Sequence, residues 1–254
     1  MEQIDEGIGA IVRALRDGGI LDNTLIVISA DHGELLGDHG GWGKRSFYEG
    51  SVTVPLLMHW PAGLPGGAIR QAPVSTVDVF PTFLAAAGIQ VTSSANLPDA
   101  PKGWVGLDGL NLLPAARDGA LPDRPGIAAE YGSGRTFKLM WRWDETAPSG
   151  GPGSADHRWK YVWLANGGRE QLFDLAADPE ERQNLASTDT GRCRQAHDAL
   201  AHWCTQTDFD NALDTDGRLI SVPFEPFPLG QVKERQPAWV SRDPDFNAEP
   251  AATA

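Results

Sequence analysis

Between residues 31 and 44 the chain reads Asp31-His32-Gly33-Glu34-Leu35-Leu36-Gly37-Asp38-His39-Gly40-Gly41-Trp42-Gly43-Lys44. Three acids, two histidines and a lysine crowd this stretch, and five glycines interrupt it. An adjacent Asp-His pair offers a carboxylate oxygen and an imidazole nitrogen to a divalent cation. Lys44 can supply a point charge to an anionic group held by the same cation. Glycine lets the backbone take positive φ and approach a ligand closely. The same residue types are common turn-formers and solvated groups in loops that follow strands, so residue types alone leave a metal site and a polar turn both open.

Several other chemistries lose their support. Asp31 is not followed by the alternating Asp/Asn ligands and the twelfth-position Glu of an EF-hand. His32-Gly33-Glu34 matches the first half of a zinc-deaminase motif, but the chain has no Pro-Cys-x-x-Cys. It also has no Gly-x-Ser-x-Gly, no Gly-x-Gly-x-x-Gly and no P-loop, which removes the serine-hydrolase, dinucleotide-binding and kinase readings.

The flanking elements must position these groups. Ile4, Ile8, Ile11, Val12 and Leu15 recur at helical spacing before Gly18-Gly19, which predicts an amphipathic helix. Thr24 to Ala30 is an unbroken β-branched and apolar run, expected to be a strand buried on both faces, with the Asp-His pair just past its carboxyl end. A second strand is expected at Val54–Trp60, and a helix capped by Ser75 or Thr76 should run to Ala87 with Pro81 in its first turn and Gly88 as its stop. A Gly/Pro/Asp-rich connection occupies roughly 92–126. Beyond it the pattern changes to short strands at 127–131, 136–141, 160–164 and 171–175, with a loop at 144–156, followed by a helix carrying Cys193, His197, Leu200 and Cys204 on one stripe. The expected organisation is therefore an α/β domain over residues 1–126, an antiparallel subdomain over 127–217 and an extended Pro-rich tail over 218–254.

The formal charge of −13 and a pI near 4.8 argue against nucleic-acid binding, which needs a basic face. An anionic small substrate stays compatible, because a metal or lysine can reverse the field within one pocket. The sequence contains no apolar run of the ~18 residues that a bilayer span needs, and its acidic start lacks the character of a secretory signal. A cytoplasmic chain with no membrane partner is the expectation. Cys193 and Cys204 would lie about 16 Å apart along one helix, too far for a disulfide.

With these segments in view, the sequence resembles the type I sulfatases of the alkaline phosphatase superfamily. The resemblance rests on Asp22 to Gly40, then Lys44, Tyr48-Glu49 and Val54-Pro55-Leu56, then Val77 to Thr82 with Ala87-Gly88-Ile89. Glu170 to Leu175, Asp178-Pro179-Glu180 and Asn184-Leu185 continue it in order. The resemblance implies the C-terminal part of an alkaline-phosphatase-like α/β sandwich with a mostly parallel sheet, joined to a small antiparallel sheet and helix. It implies that Asp31 and His32 are ligands of a divalent metal, Ca2+ before Mn2+ or Mg2+, that Lys44 contacts the sulfate, and that His39 lines the same pocket. Tyr48 and Glu49 are expected to be structural.

Three departures qualify these expectations. The family's formylglycine arises from a cysteine in Cys-x-Pro-x-Arg, or from a serine in its place; Cys193 and Cys204 do not fit that pattern, and Thr53 stands where the family often has Arg. The family's paired N-terminal aspartates are also missing. The sequence therefore reads as a C-terminal portion beginning at an internal Met, with a small sulfated substrate and either a complementary N-terminal polypeptide or a homo-oligomer as expected partners. A phosphonate monoester or phosphodiester hydrolase of the same superfamily, and a non-catalytic remnant that binds metal weakly, are the alternatives.

Overall fold

The computed structural model describes residues 2–89, 109–120, 124–145, 157–207 and 209–226. Parts of the expected 92–126 connection, of the 144–156 loop and of the tail lie outside the described residues. The chain forms two compact units, one of residues 1–31 and 55–123, the other of residues 32–54 and 124–254.

The first unit opens with α1, Glu2–Asp17, built on the predicted apolar stripe. Its last turn closes where Ile20 N donates to Leu15 O at 3.0 Å, with Gly19 at φ 69° supplying the left-handed residue that such an ending needs. Strand β1, Ile26–Ser29, pairs with β2, Leu56–His59, in the register Ile26↔His59 to Ser29↔Leu56. That pairing is antiparallel, where a mostly parallel sheet was expected. The reason lies in the connection. Residues 30–55 contain only a 3-10 turn, Asp38–Gly40, and the four-residue helix α2, Glu49–Val52, whereas a parallel return needs a crossover element lying along the sheet. None of the four β1 residues is fully buried, and among the described residues β2 is the only strand beside it. Apolar character on both faces thus identified the strand but not the degree of its burial.

The predicted helix near residue 80 is a 3-10 turn, Thr76–Asp78, leading into α3, Val79–Ala86. Ser75 and Asp78 form a capping box in which Ser75 N donates to Asp78 Oδ2 at 2.8 Å. Asp78 is completely buried, and its other oxygen accepts from Leu110 N at 2.8 Å. Thr82 Oγ1 accepts from Leu112 N at 2.9 Å, so the start of α3 holds residues 110–112 beside it. Next along the chain is α4, Leu113–Asp118, where the guanidinium of Arg70 donates to the carbonyls of Ala115, Ala116 and Arg117, satisfying C-terminal acceptors that the helix cannot pair.

The second unit is built on an antiparallel meander of β3, Ile127–Tyr131; β4, Lys138–Glu145; β5, His157–Leu164; and β6, Arg169–Asp174. Side chains alternate between its faces, and both faces are covered. On one face Leu139, Trp141, Trp159, Tyr161 and Leu172 pack with α5, Thr190–Gln206, through Cys193, Ala196, Leu200 and Cys204 at helical spacing. Fully buried residues such as Leu139, Leu172 and Leu200 each contribute roughly 1.5–3 kcal/mol. The opposite face carries Met140, Val162, Leu164 and Phe173, and on it lies the 32–54 segment through Phe47, Leu35 and Tyr48. After α5, Asn166 exchanges hydrogen bonds of 3.0 Å with the backbone of Glu225, and Leu219 is buried.

Candidate active site

His32 to Val54 belong to the second unit, and backbone hydrogen bonds shape the glycine-rich part of this segment, among them Gly33 N to Ser51 O at 2.8 Å, Leu35 N to Gly43 O at 3.0 Å and Gly37 N to Gly41 O at 2.8 Å. Gly33 is required by proximity, since a Cβ there would sit 2.2 Å from the carbonyl oxygen of Gly50. The Gly43 amide donates to the Glu34 carboxylate, so Glu34 is spent on holding the loop closed.

Within this loop the ammonium of Lys44 meets Nε2 of His32. An ammonium only donates, so Nε2 accepts and the ring proton sits on Nδ1, which faces the Gly33 carbonyl at 2.7 Å. That arrangement is also the one a metal-binding histidine uses, with the second nitrogen tied to a carbonyl and Nε2 presented outward. Asp31, exposed and two residues past β1, closes the first stretch of the first unit, and His32 opens the second unit. His39 adopts φ 50°, and its ring stacks on Tyr48 with centroids 3.7 Å apart and planes 5° from parallel. The structure thus brings Lys44 onto His32 and sets His39 against Tyr48.

A charged network under the segment escaped the sequence reading. Lys160 on β5 has no exposed surface, and its Nζ donates to Phe47 O at 2.7 Å, to Glu49 Oε1 at 2.6 Å and to Glu181 Oε1 at 2.8 Å. Glu49 N donates to Glu181 Oε2 at 2.6 Å, and Lys138 on β4 donates to Arg45 O at 2.7 Å. Burial works against ionisation of Glu49, yet the Lys160 ammonium outweighs it and holds this carboxyl below its ordinary value. Glu181 is almost completely enclosed, and there burial prevails, raising its carboxyl despite the same lysine. The signal available in the sequence was Lys160 within Trp159-Lys160-Tyr161-Val162, a cation in an otherwise apolar run. Thr53, which stands where the family often has Arg, donates from Oγ1 to Glu49 Oε2 at 3.0 Å.

Neither cysteine suits nucleophilic work. Both are buried and free on α5, and burial pushes the Cys193 thiol up to about 12 and the Cys204 thiol up to about 11. Among the described residues, no helix is long and apolar enough to cross a membrane.

The first unit is α/β, and a loop carrying acids, histidines and a lysine follows its first strand. Residues 1–89 match the family model described as Sulfatase. The choline-sulfatase of Rhizobium meliloti (strain 1021) is 34% identical over 83% of this chain, and arylsulfatase K of Xenopus laevis is 35% identical over 72% of it. A protein solved in complex with its substrate D-glucosamine-2-N,6-O-disulfate superposes with a TM-score of 0.65 and 25% identity, over 82% of this chain and 39% of that one. The chain belongs to the sulfatase family. It spans 37% of the choline-sulfatase and 32% of the arylsulfatase K.

Asp31 and His32 are chemically suited to a divalent cation, but two side chains fill only part of a calcium shell of about 6–8 ligands. Among the described residues, no group of three or more His, Cys, Asp or Glu converges to complete it. Asp31 and His32 by themselves therefore do not form a whole ligand set.

Proposed function

We propose that this chain carries the anion-contacting part of a sulfuric ester hydrolase acting on a small sulfated molecule. The observation that carries the reading is the Lys44–His32 contact on a loop with the sulfatase pattern. Asp31 and His32 would hold the divalent metal, Ca2+ in this reading, and when bound it would draw charge from a sulfuryl oxygen. Lys44 turns its ammonium from His32 Nε2 to the sulfate, freeing the imidazole nitrogen as a ligand and placing a positive charge where ester cleavage concentrates negative charge. In a chain of net charge −13 that local cation is what admits an anion. The Gly33 carbonyl keeps the His32 ring oriented throughout. His39, flat against Tyr48, lines the same loop.

Calorimetric titration of inorganic sulfate into the full chain, with and without calcium, tests this reading. Lys44→Ala should weaken sulfate binding by about 10- to 100-fold, the loss of one charge-assisted contact. Asp31→Asn should abolish any calcium dependence. Sulfate affinity indifferent to Lys44→Ala would overturn the assignment.

A further inference from the structure

The five residues that follow Lys44 are held by charged groups rising from the core of the sheet. Lys138 donates to the carbonyl of Arg45 and Lys160 to that of Phe47, each at 2.7 Å, while Glu181 accepts from the amide of Glu49 at 2.6 Å. These contacts reach alternate residues of one short segment, so together they define its register as well as its attachment. Lys160 uses all three of its donors, and its partners leave it a single geometry. The side chains of Phe47 and Tyr48 pack on Met140, Val162 and Phe173, which would attach the segment without any buried charge. Burying Lys160 and the Glu181 carboxylate costs desolvation, and apolar residues of similar volume often replace such groups without loss of stability. What the charged groups add to apolar packing is a directional hold on three backbone atoms.

We propose that Lys160, together with Glu181, is a positioning residue that fixes the 45–49 backbone and thereby the placement of Lys44. The inference rests on the reading of Lys44 as the group that contacts the anion. It adds to that reading a pair of residues more than a hundred positions away in the chain, which touch neither substrate nor metal.

The test uses the full chain and two variants. Lys160→Met leaves Glu49 and Glu181 without their cation and can fail to fold. The double variant Lys160→Met/Glu181→Gln removes the buried charge pair and keeps an acceptor for the Glu49 amide. Hydrogen exchange and titration with inorganic sulfate are measured on the wild type and the double variant. The expected result is exchange at residues 46–49 at least tenfold faster, exchange within β5 unchanged, and sulfate affinity reduced at least fivefold. A folded double variant with wild-type protection at 46–49, or with loosened residues and undiminished sulfate affinity, would overturn the proposal. If the wild type takes up no sulfate, the reading of Lys44 fails, and the exchange result alone decides whether Lys160 fixes this segment.

Discussion

The imidazole of His39 lies flat on the phenol of Tyr48, with 3.7 Å between centroids, although His39 holds its backbone at φ 50°. The stack gives a left-handed residue a definite side-chain position, and it separates what the ring contributes to packing from what it contributes to chemistry. His39→Ala is expected to lower stability by about 0.5–1.5 kcal/mol, the scale of a ring pair. His39→Phe keeps the stack and should stay within roughly 0.5 kcal/mol of the wild type. Urea unfolding measures both. A sulfate affinity lost in His39→Phe at unchanged stability would identify the imidazole itself as part of the site.

Gly33 answers to a backbone contact. A methyl group there would press on the Gly50 carbonyl, which belongs to the same hydrogen-bonded loop and cannot rotate away. Gly33→Ala should cost about 1–3 kcal/mol, the range for overpacking. Gly66→Ala serves as the control, since a Cβ at Gly66 meets nothing within 4 Å and its φ is ordinary, so that change should be neutral or slightly stabilising. Equal unfolding midpoints for the two variants would contradict the crowding at Gly33.

Asp174 gives the fold an acid-labile contact. Burial raises its carboxyl, but the hydrogen bond with His157 at 2.7 Å and the amides of Ala176 and Ala177 outweigh burial and hold it below the ordinary value of 3.8. A lowered folded-state value means stability that is fully present above 3.8 and is lost as the pH falls through that lowered value. Asp174→Asn keeps an acceptor for the two amides and loses the charge. It should lower stability at neutral pH by about 1–2 kcal/mol and flatten the pH dependence below 3.8, both measurable by chemical unfolding across an acid series. A variant with the wild-type acid profile would show that Asp174 is not the group responsible.

The two thiols should be silent in the native state. With values pushed to about 12 and about 11, and with both side chains enclosed between α5 and the sheet, the thiolate fraction at pH 8 falls roughly a hundredfold or more below that of a free cysteine. Ellman's reagent should label neither Cys193 nor Cys204 until denaturant is added, after which both react. Rapid labelling of the native protein would mean that α5 opens locally.

Much of the architecture was legible in residue order alone. The 3.6-residue stripe of α1, a cap at Ser75 and the Cys193–Cys204 spacing on α5 are short-range patterns, and each forms where it was expected, whereas β4 and β5 run longer than the strands expected at 136–141 and 160–164. The Asp31 to Lys44 loop stood out by its residue types and glycine positions, which by themselves left a metal site and a polar turn both open. Tertiary structure decided the pairing direction of β1 and β2, which depends on where the chain goes between them, and it decided the partial burial of β1, which depends on its neighbours. It also decided the role of Lys160. A strand lysine reads as a solvent-facing residue until a carbonyl 113 positions away is brought to its ammonium, and only the folded chain supplies that acceptor. Local pattern carries propensity and side-chain chemistry, whereas the partner of a buried charge is a long-range fact that three-dimensional packing alone can provide.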